Sequence, residues 1–401
     1  MKRGFSAVLM LLAMSAFAAS AQAVPHSSAQ GLSHRNSCAV AAGDDARCFA
    51  KVVTRDDGST FSGPADTTGK HPGWSPADLQ SAYNLSAGSG TPTVAIVDAY
   101  DNPNAASDLA TYRSEWGLPA CGAGCFTKIN QNGGTTPPAA DSGWGEEIAL
   151  DLDMVSSACP NCNILLVEAN SNSFTDLMKA VDTAAGWSGV VAVSNSYGAN
   201  EFSTETNYDT HFNHPGIAVT VSSGDNGYGT EYPASSRWVT ATGGTSLNRS
   251  SSGVWSQTAW SGAGSGCSAY EPKQSWQSSL PTACGRRTVA DVSSVSNPNT
   301  GVAVYDTFSD PGWMVFGGTS AAAPFIAGVY AVGGTKPLTY AAQWPYSYGS
   351  YPSSLTDVTS GSNGRCTTGR KGSSSTAYLC TAGPGYDGPT GLGTPNGASA
   401  F

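Results

Sequence analysis

Four short apolar runs, mostly β-branched, constrain this chain more than anything else in it: Val94–Val97, which ends on Asp98, Ile164–Val167, Val190–Val193 and Ile217–Val221. Strands with one wet face alternate apolar and polar residues, whereas continuous runs of this length suit strands buried on both faces. Between them, Ala105–Trp116, Gly145–Ser157 and Phe174–Ala185 carry helical spacing, and a shorter amphipathic helix is expected from Pro76. Strand, helix, strand repetition predicts an α/β domain with an open parallel sheet flanked by helices. Beyond about Gly244 the pattern loosens into Gly/Ser-rich stretches with scattered aromatics, Trp255–Trp260 and Tyr340–Tyr351, which read as long surface loops. Such loops either line a substrate cleft or merely cover a core.

Composition narrows the function classes. The 19 Lys+Arg face 29 Asp+Glu with no basic run, which excludes a nucleic-acid footprint. With 40% hydrophobic residues the chain can bury a sizeable core. Residues 1–23 place Lys2-Arg3 before an apolar stretch and a small-residue Ala21-Gln22-Ala23 site, the pattern of a secretory signal. Export is therefore expected, with a mature chain free of the membrane and, by default, monomeric. Residues 24–72 are polar and weakly patterned, a short pro-segment or linker, leaving 73–401 as the main domain. The 10 cysteines fall into five close couples: Cys38/Cys48, Cys121/Cys125, Cys159/Cys162, Cys267/Cys284 and Cys366/Cys380. An oxidising compartment would make these local disulfides. Zinc is the rival at Cys159/Cys162, but no second ligand pair stands at finger distance.

The sharpest motif is Phe316-Gly-Gly-Thr-Ser-Ala-Ala-Ala-Pro-Phe325. Its glycines permit close approach and its alanines start a tightly packed helix, so Ser320 is expected at a helix N-terminus with an exposed hydroxyl, where developing negative charge is favoured. A plain N-cap serine would look the same. A nucleophilic serine needs a base, and the histidines serve poorly. His26, His34 and His71 lie in the weakly patterned N-terminal region, while His211 and His214 sit in a polar loop. Acids do better. Glu147 and Asp151 are four apart on an expected helix and so share a face, either a solvated one, which composition alone favours, or a proton-sharing dyad. Asp225 follows the strand run 217–221, where reaction sites gather at the carboxyl ends of parallel strands, although an Asp beside Gly also caps turns.

Taken together, these residues resemble the sedolisin family, the serine-carboxyl peptidases of subtilisin-like fold. The resemblance spans residues 73–401 and rests on an ordered set: Gly73-Trp-Ser-Pro, Glu147 with Asp151, Ser194-Asn-Ser-Tyr-Gly198, Ser223-Gly-Asp-Asn-Gly227, Gly317-Gly-Thr-Ser-Ala-Ala-Ala-Pro324, Asp357-Val-Thr and Gly383-Pro-Gly-Tyr-Asp387. It implies Ser320 as nucleophile, Glu147 as general base, Asp151 as the residue orienting Glu147, and Asp225 as oxyanion donor. It further implies substrate contacts at Ser194, Tyr197 and Gly198. One structural Ca²⁺ would be held by Asp357, Asp387 and the carbonyls of Val358, Gly383 and Gly385 in a C-terminal segment. Asp98 stands where subtilisins keep an aspartate, and would either extend the acid network or cap its strand. The expected activity is hydrolysis of protein or peptide substrates at roughly pH 3 to 5, because Asp225 can donate a hydrogen bond only when protonated. The competing expectation is a catalytically silent secreted binding protein on the same scaffold.

Overall fold

The computed structural model describes Met1 and residues 32–41, 45–55, 70–122, 124–278, 280, 284–308, 310, 312–366 and 374–401. Apart from Met1, the expected signal segment lies outside them. No helix among the described residues is long and apolar enough to cross a membrane.

The N-terminal segment supplies three strands, β1 (Leu32–Asn36), β2 (Arg47–Cys48) and β3 (Lys51–Arg55). The alternating unit follows as α1 (Pro76–Ala82), β4 (Thr93–Ala99), α2 (Ala105–Glu115), β5 (Phe126–Asn130), α3 (Ser142–Ala158), β6 (Asn163–Ala169), α4 (Phe174–Ala185), β7 (Val190–Asn195), β8 (Tyr197–Asn200) and β9 (Ala218–Ser222). Next come β10 (Glu231–Tyr232), β11 (Thr240–Arg249), β12 (Trp255–Ala259), β13 (Gly266–Cys267), β14 (Thr288–Val289), β15 (Val292–Val295), β16 (Val302–Asp306) and β17 (Gly312–Gly317). The chain closes with α5 (Ala322–Gly333), α6 (Trp344–Tyr348), β18 (Leu355–Thr356) and β19 (Thr394–Pro395).

The central sheet runs β12-β11-β9-β7-β4-β6-β5, with β15 also paired to β11. Every pairing in it is parallel except the edge pair β11–β12. Alternate residues of β4 feed two cores, as a pleated strand covered on both faces must. Val94 and Ile96 join Leu109, Ile148, Val155 and Phe325 from α2, α3 and α5, while Ala95 and Val97 join Phe174, Leu177 and Val181 from α4. The expected parallel α/β architecture is therefore present. The Gly/Ser-rich region after Gly244 is not all loop, since β11, β12 and β15 belong to the main sheet.

Two smaller sheets bring residues 32–55 into the domain. One has the order β1-β3-β17-β16 and the other β10-β8-β2. All five expected cysteine couples are disulfides, including Cys159–Cys162, which removes the zinc alternative there.

Candidate active site

Helix α3 carries the acids. Asp141 caps it by accepting from the Trp144 N–H, and every residue from Trp144 to Ala158 is buried. A helix buried all round has no solvated face to offer, so the solvated reading of Glu147 and Asp151 fails. Both are 0% exposed, as is Asp98 on β4. Glu146, one residue away, turns elsewhere and takes a two-pronged ion pair from Arg35.

Opposite the acids, β17 delivers Gly317 and Gly318 into a short turn, Thr319–Ala321, that leads into α5. Gly318 has φ +95°, and a Cβ there would sit 1.9 Å from the Phe49 carbonyl oxygen, so the turn tolerates no larger residue. Ser320 stands at the helix start as expected. Its hydroxyl is not exposed, however: the residue is 0% accessible because the segment around Phe49 and Ala50 lies against this turn. Ser320 Oγ donates to the Ser196 carbonyl at 3.3 Å.

Glu147 and Asp151 are held by different partners. Glu147 Oε2 accepts the Ala50 N–H at 2.8 Å. Asp151 accepts from the Ser196 hydroxyl, whose oxygen is 2.8 and 2.9 Å from its two carboxylate oxygens. Burial, then the charge of Asp98, raises the Glu147 pKa well above the ordinary range; the Ser320 hydroxyl, the Ala50 N–H and Asp151 oppose that rise. Asp151 is raised by burial and by the charges of Asp98 and Glu147, with Ser196 opposing. Asp98 is pushed up to about 8 by burial, and neither of its oxygens has a hydrogen-bond partner among the described residues. Three buried acids thus crowd one place, and like charges this close cannot all ionise. Asp98 joins that group rather than capping its strand.

Asp225 reaches the turn from beyond the carboxyl end of β9. Its Oδ1 accepts from both the backbone N–H and the hydroxyl of Thr319, at 2.8 and 2.9 Å. Its Oδ2 has no hydrogen-bond partner among the described residues, with Lys51 Nζ 3.7 Å away. Burial lifts its pKa to about 6 against the pull of Lys51 and Thr319. A proton held on Oδ2 would therefore face the gap beside Gly318.

The expected substrate-contact residues separate. Tyr197 and Gly198 lie on β8, paired with Cys48 and Arg47 of β2. Ser194 lies inside the sheet on β7, opposite Ile96 and Thr220, fully buried. Ser196, two residues further on, is the one that meets Asp151, Ser320 and Phe49. Sequence reading passed over it because nothing in Ser-Asn-Ser-Tyr-Gly tells the two serines apart. His211 and His214 associate with Asp182 on α4.

At the C-terminal end, Asp357 and Asp387 approach across two loops. Asp357 Oδ2 accepts the Gly385 N–H at 2.8 Å and Asp387 Oδ2 accepts the Gly383 N–H at 3.1 Å. Asp357 Oδ1 is buried without a partner, and Asp387 is raised to about 7 by burial, with the Asp357 charge adding to it. An orphaned oxygen beside a second, repelled carboxylate fits a hard divalent cation with oxygen ligands. Val358 is buried beside Asp357. No group of three or more His, Cys, Asp or Glu side chains suited to a metal occurs among the described residues, so the fit relies on backbone carbonyls.

Known proteins resemble this chain in sequence and in fold. No family model matches the chain. It is 29% identical to kumamolisin of Bacillus sp. (strain MN-32) over 366 residues, covering 81% of this chain and 62% of that protein. To sedolisin of Pseudomonas sp. (strain 101) it is 27% identical over 362 residues, covering 80% and 60%. The chain thus spans about three fifths of the length of these curated relatives. Among solved structures, Pseudomonas sedolisin, described as a serine-carboxyl proteinase and complexed with two molecules of pseudo-iodotyrostatin, superposes with a TM-score of 0.68 at 27% identity, covering 81% of this chain and 95% of that one. In sequence and in fold, the chain is thus similar to sedolisin-type serine-carboxyl peptidases, which supports the sedolisin family.

Proposed function

We propose that the protein is a secreted, acid-acting serine endopeptidase in which carboxylic acids do the work that histidine does elsewhere. The observation that carries this reading is the meeting of Ser320, the Glu147–Asp151 pair and Asp225 around one turn, each acid lifted above its ordinary pKa by burial. Ser320 Oγ attacks the substrate carbonyl carbon while Glu147 takes its proton. Glu147 then returns that proton to the leaving nitrogen, and water repeats the sequence in reverse to free the acyl group. The Ala50 N–H on Glu147 Oε2 supports this, because an amide nitrogen already occupies the place a leaving amine would need. Asp151, itself braced by Ser196, keeps a proton that orients Glu147 and leaves it the readier anion. Asp225 in its neutral form donates from Oδ2 to the oxyanion.

Asp357, Asp387 and the carbonyls of Val358, Gly383 and Gly385 would hold one structural Ca²⁺. The ion would screen the repulsion between the two carboxylates and tie the C-terminal loops together. Export rests on the signal-like residues 1–23, with protein or peptides as substrates. The test is cleavage of a denatured protein from pH 3 to 8 by the wild type after acid incubation, beside Ser320→Ala and Glu147→Ala. We expect cleavage at acidic pH that either substitution abolishes. Absence of cleavage at every pH would favour a silent binding protein, and activity confined to alkaline pH would refute the acid mechanism.

A further inference from the structure

The segment from Ala46 to Val52 crosses the candidate site as an extended strand bonded on both sides of the nucleophile. Before the crossing, Arg47 and Cys48 pair antiparallel with Gly198 and Tyr197. After it, Lys51 and Val52 pair antiparallel with Gly317 and Phe316 of the strand that delivers Ser320. In the gap, the Phe49 N–H donates to the Ser196 carbonyl at 3.2 Å, the same oxygen that accepts from Ser320 Oγ at 3.3 Å. The Phe49 carbonyl lies against Gly318, and the next nitrogen, that of Ala50, donates to Glu147 at 2.8 Å. The Phe49 carbonyl therefore sits by the serine turn, and the nitrogen bonded to it sits on the proton carrier. Phe49 is 2% and Ala50 0% exposed, so the segment fills the cleft rather than skirting it.

We propose that Ala46–Lys51 is a resident inhibitory loop bound as a substrate, which presents the Phe49–Ala50 peptide bond to Ser320 and closes the site to other chains. This rests on the peptidase reading above. The loop is tied at both ends. The disulfide Cys38–Cys48 braces the residue just before Phe49, and β1 and β3 zip together beyond it with registers such as Arg35 to Val52. Such bracing holds a chain in the bound conformation before it binds and lowers the entropic cost of occupancy.

The same loop reports the side chain the site accepts. The Phe49 ring lies over Gly198, where an added Cβ would stand 3.0 Å from Cζ and 3.1 Å from Cε2. The Arg47 guanidinium sits 5.5 Å from the ring centroid on the loop's own side. A flat aromatic residue ahead of the cut bond is therefore the matching substrate.

Cutting this bond balances as any acyl transfer does. Ser320 Oγ bonds to the Phe49 carbonyl carbon, the C–N bond to Ala50 breaks, and the Ser320 proton passes through Glu147 to the Ala50 nitrogen. Water then releases Phe49 as a carboxylate and restores Ser320. Because Lys51–Arg55 stays paired in its sheet, the new amino terminus remains beside Glu147 after the cut.

Two measurements test this on the full chain. In the first, wild type and Phe49→Gly are held at pH 4 and sequenced from new amino termini, and their initial rates are read on a fluorogenic peptide with Phe ahead of the cut bond. We expect a terminus beginning Ala-Lys-Val-Val in wild type, none in Ser320→Ala, and an initial rate at least tenfold higher for Phe49→Gly. In the second, the Ser320→Ala chain, alone or combined with Phe49→Gly or with Cys38→Ser/Cys48→Ser, is titrated with the same peptide, its fold checked by circular dichroism. Freeing the loop should tighten binding at least tenfold, and an Asp-for-Phe peptide should not benefit. Unchanged binding in every loop variant overturns the proposal, as does Ser320-dependent proteolysis by a wild type whose Phe49–Ala50 bond stays whole and whose rate matches Phe49→Gly. Tightened binding with no proteolysis in any chain would uphold the loop and count only against the peptidase reading.

Discussion

Asp225 offers the most exacting test of the acid chemistry, because the proposed mechanism gives its two oxygens separate tasks. Oδ1 accepts twice from Thr319, at 2.8 and 2.9 Å, and Oδ2 is left to carry a proton. Asp225→Asn keeps the first task, since the amide oxygen accepts as before, and makes the second permanent, since the amide nitrogen donates at every pH. With a pKa of about 6, the wild-type carboxyl is almost wholly neutral at pH 4 and about 1% neutral at pH 8. If the neutral form is what stabilises the oxyanion, kcat/KM falls roughly tenfold for each pH step above 6, or about 100-fold by pH 8, from this group alone. Asp225→Asn should flatten that limb while retaining measurable activity at pH 5. Asp225→Ala, which removes the donor outright, should lose about 10²–10³ in kcat at pH 4, equivalent to roughly 3–4 kcal/mol. The assay is kcat/KM on a fluorogenic peptide from pH 3 to 8, with enzyme first incubated at acidic pH. An alanine variant as active as wild type, or an asparagine variant with an unchanged alkaline limb, would refute the assignment.

Stability should follow the same acids. Asp225 and Asp98 have folded pKa values raised from 3.8 to about 6 and about 8, so the folded state binds more protons, and the stability this confers is full below 3.8 and drains as pH rises through those values. The Asp225 shift alone amounts to roughly 3 kcal/mol. Calorimetry on the Ser320→Ala chain should give a Tm at least about 5 °C higher at pH 4 than at pH 8, and the reverse order would contradict the burial argument. Ser196→Ala removes the hydroxyl bonded to both oxygens of Asp151 and should lower kcat by about 10- to 100-fold while moving KM little, with the activity limb set by the Glu147–Asp151 pair displaced to higher pH. Added Ca²⁺ should raise Tm and a chelator lower it at fixed pH, with Asp387→Ala abolishing both responses; a Tm indifferent to the ion would remove the calcium site.

The central sheet was legible because strands buried on two faces keep their runs almost wholly apolar, with Thr220 the one polar residue among 94–97, 164–167, 190–193 and 217–221, each of which falls within or beside an observed strand. Strand β11 was not, because it is built for close approach instead of apolar bulk. A Cβ on Gly243 would lie 2.3 Å from the Pro389 carbonyl, so the position takes glycine where a buried strand would ordinarily use valine. The polar strands of residues 32–55 were invisible for a different reason. β17 and β8 present edges to β3 and β2, and β1 adds to β3 in turn, a tertiary circumstance that local propensity does not encode. At the site, the spacing of Glu147 and Asp151 showed that they share a helix face, but not that the face is dry. That depends on Ala50, Ser196 and Ser320, which lie 97 residues before Glu147, 45 after Asp151 and in the turn before α5.

The five disulfides close spans of only 10, 4, 3, 17 and 14 residues. Crosslinks this short do little to restrain the unfolded chain as a whole, and each instead staples one stretch of its own locality. On the proposed peptidase reading each copy is also a substrate for its neighbours, and a chain is nicked where a stretch of backbone can loosen into an extended strand long enough to enter a neighbour's cleft. Pinning such stretches at close intervals denies that opening, so on that reading the crosslinks would serve endurance among siblings more than the architecture of the sheet.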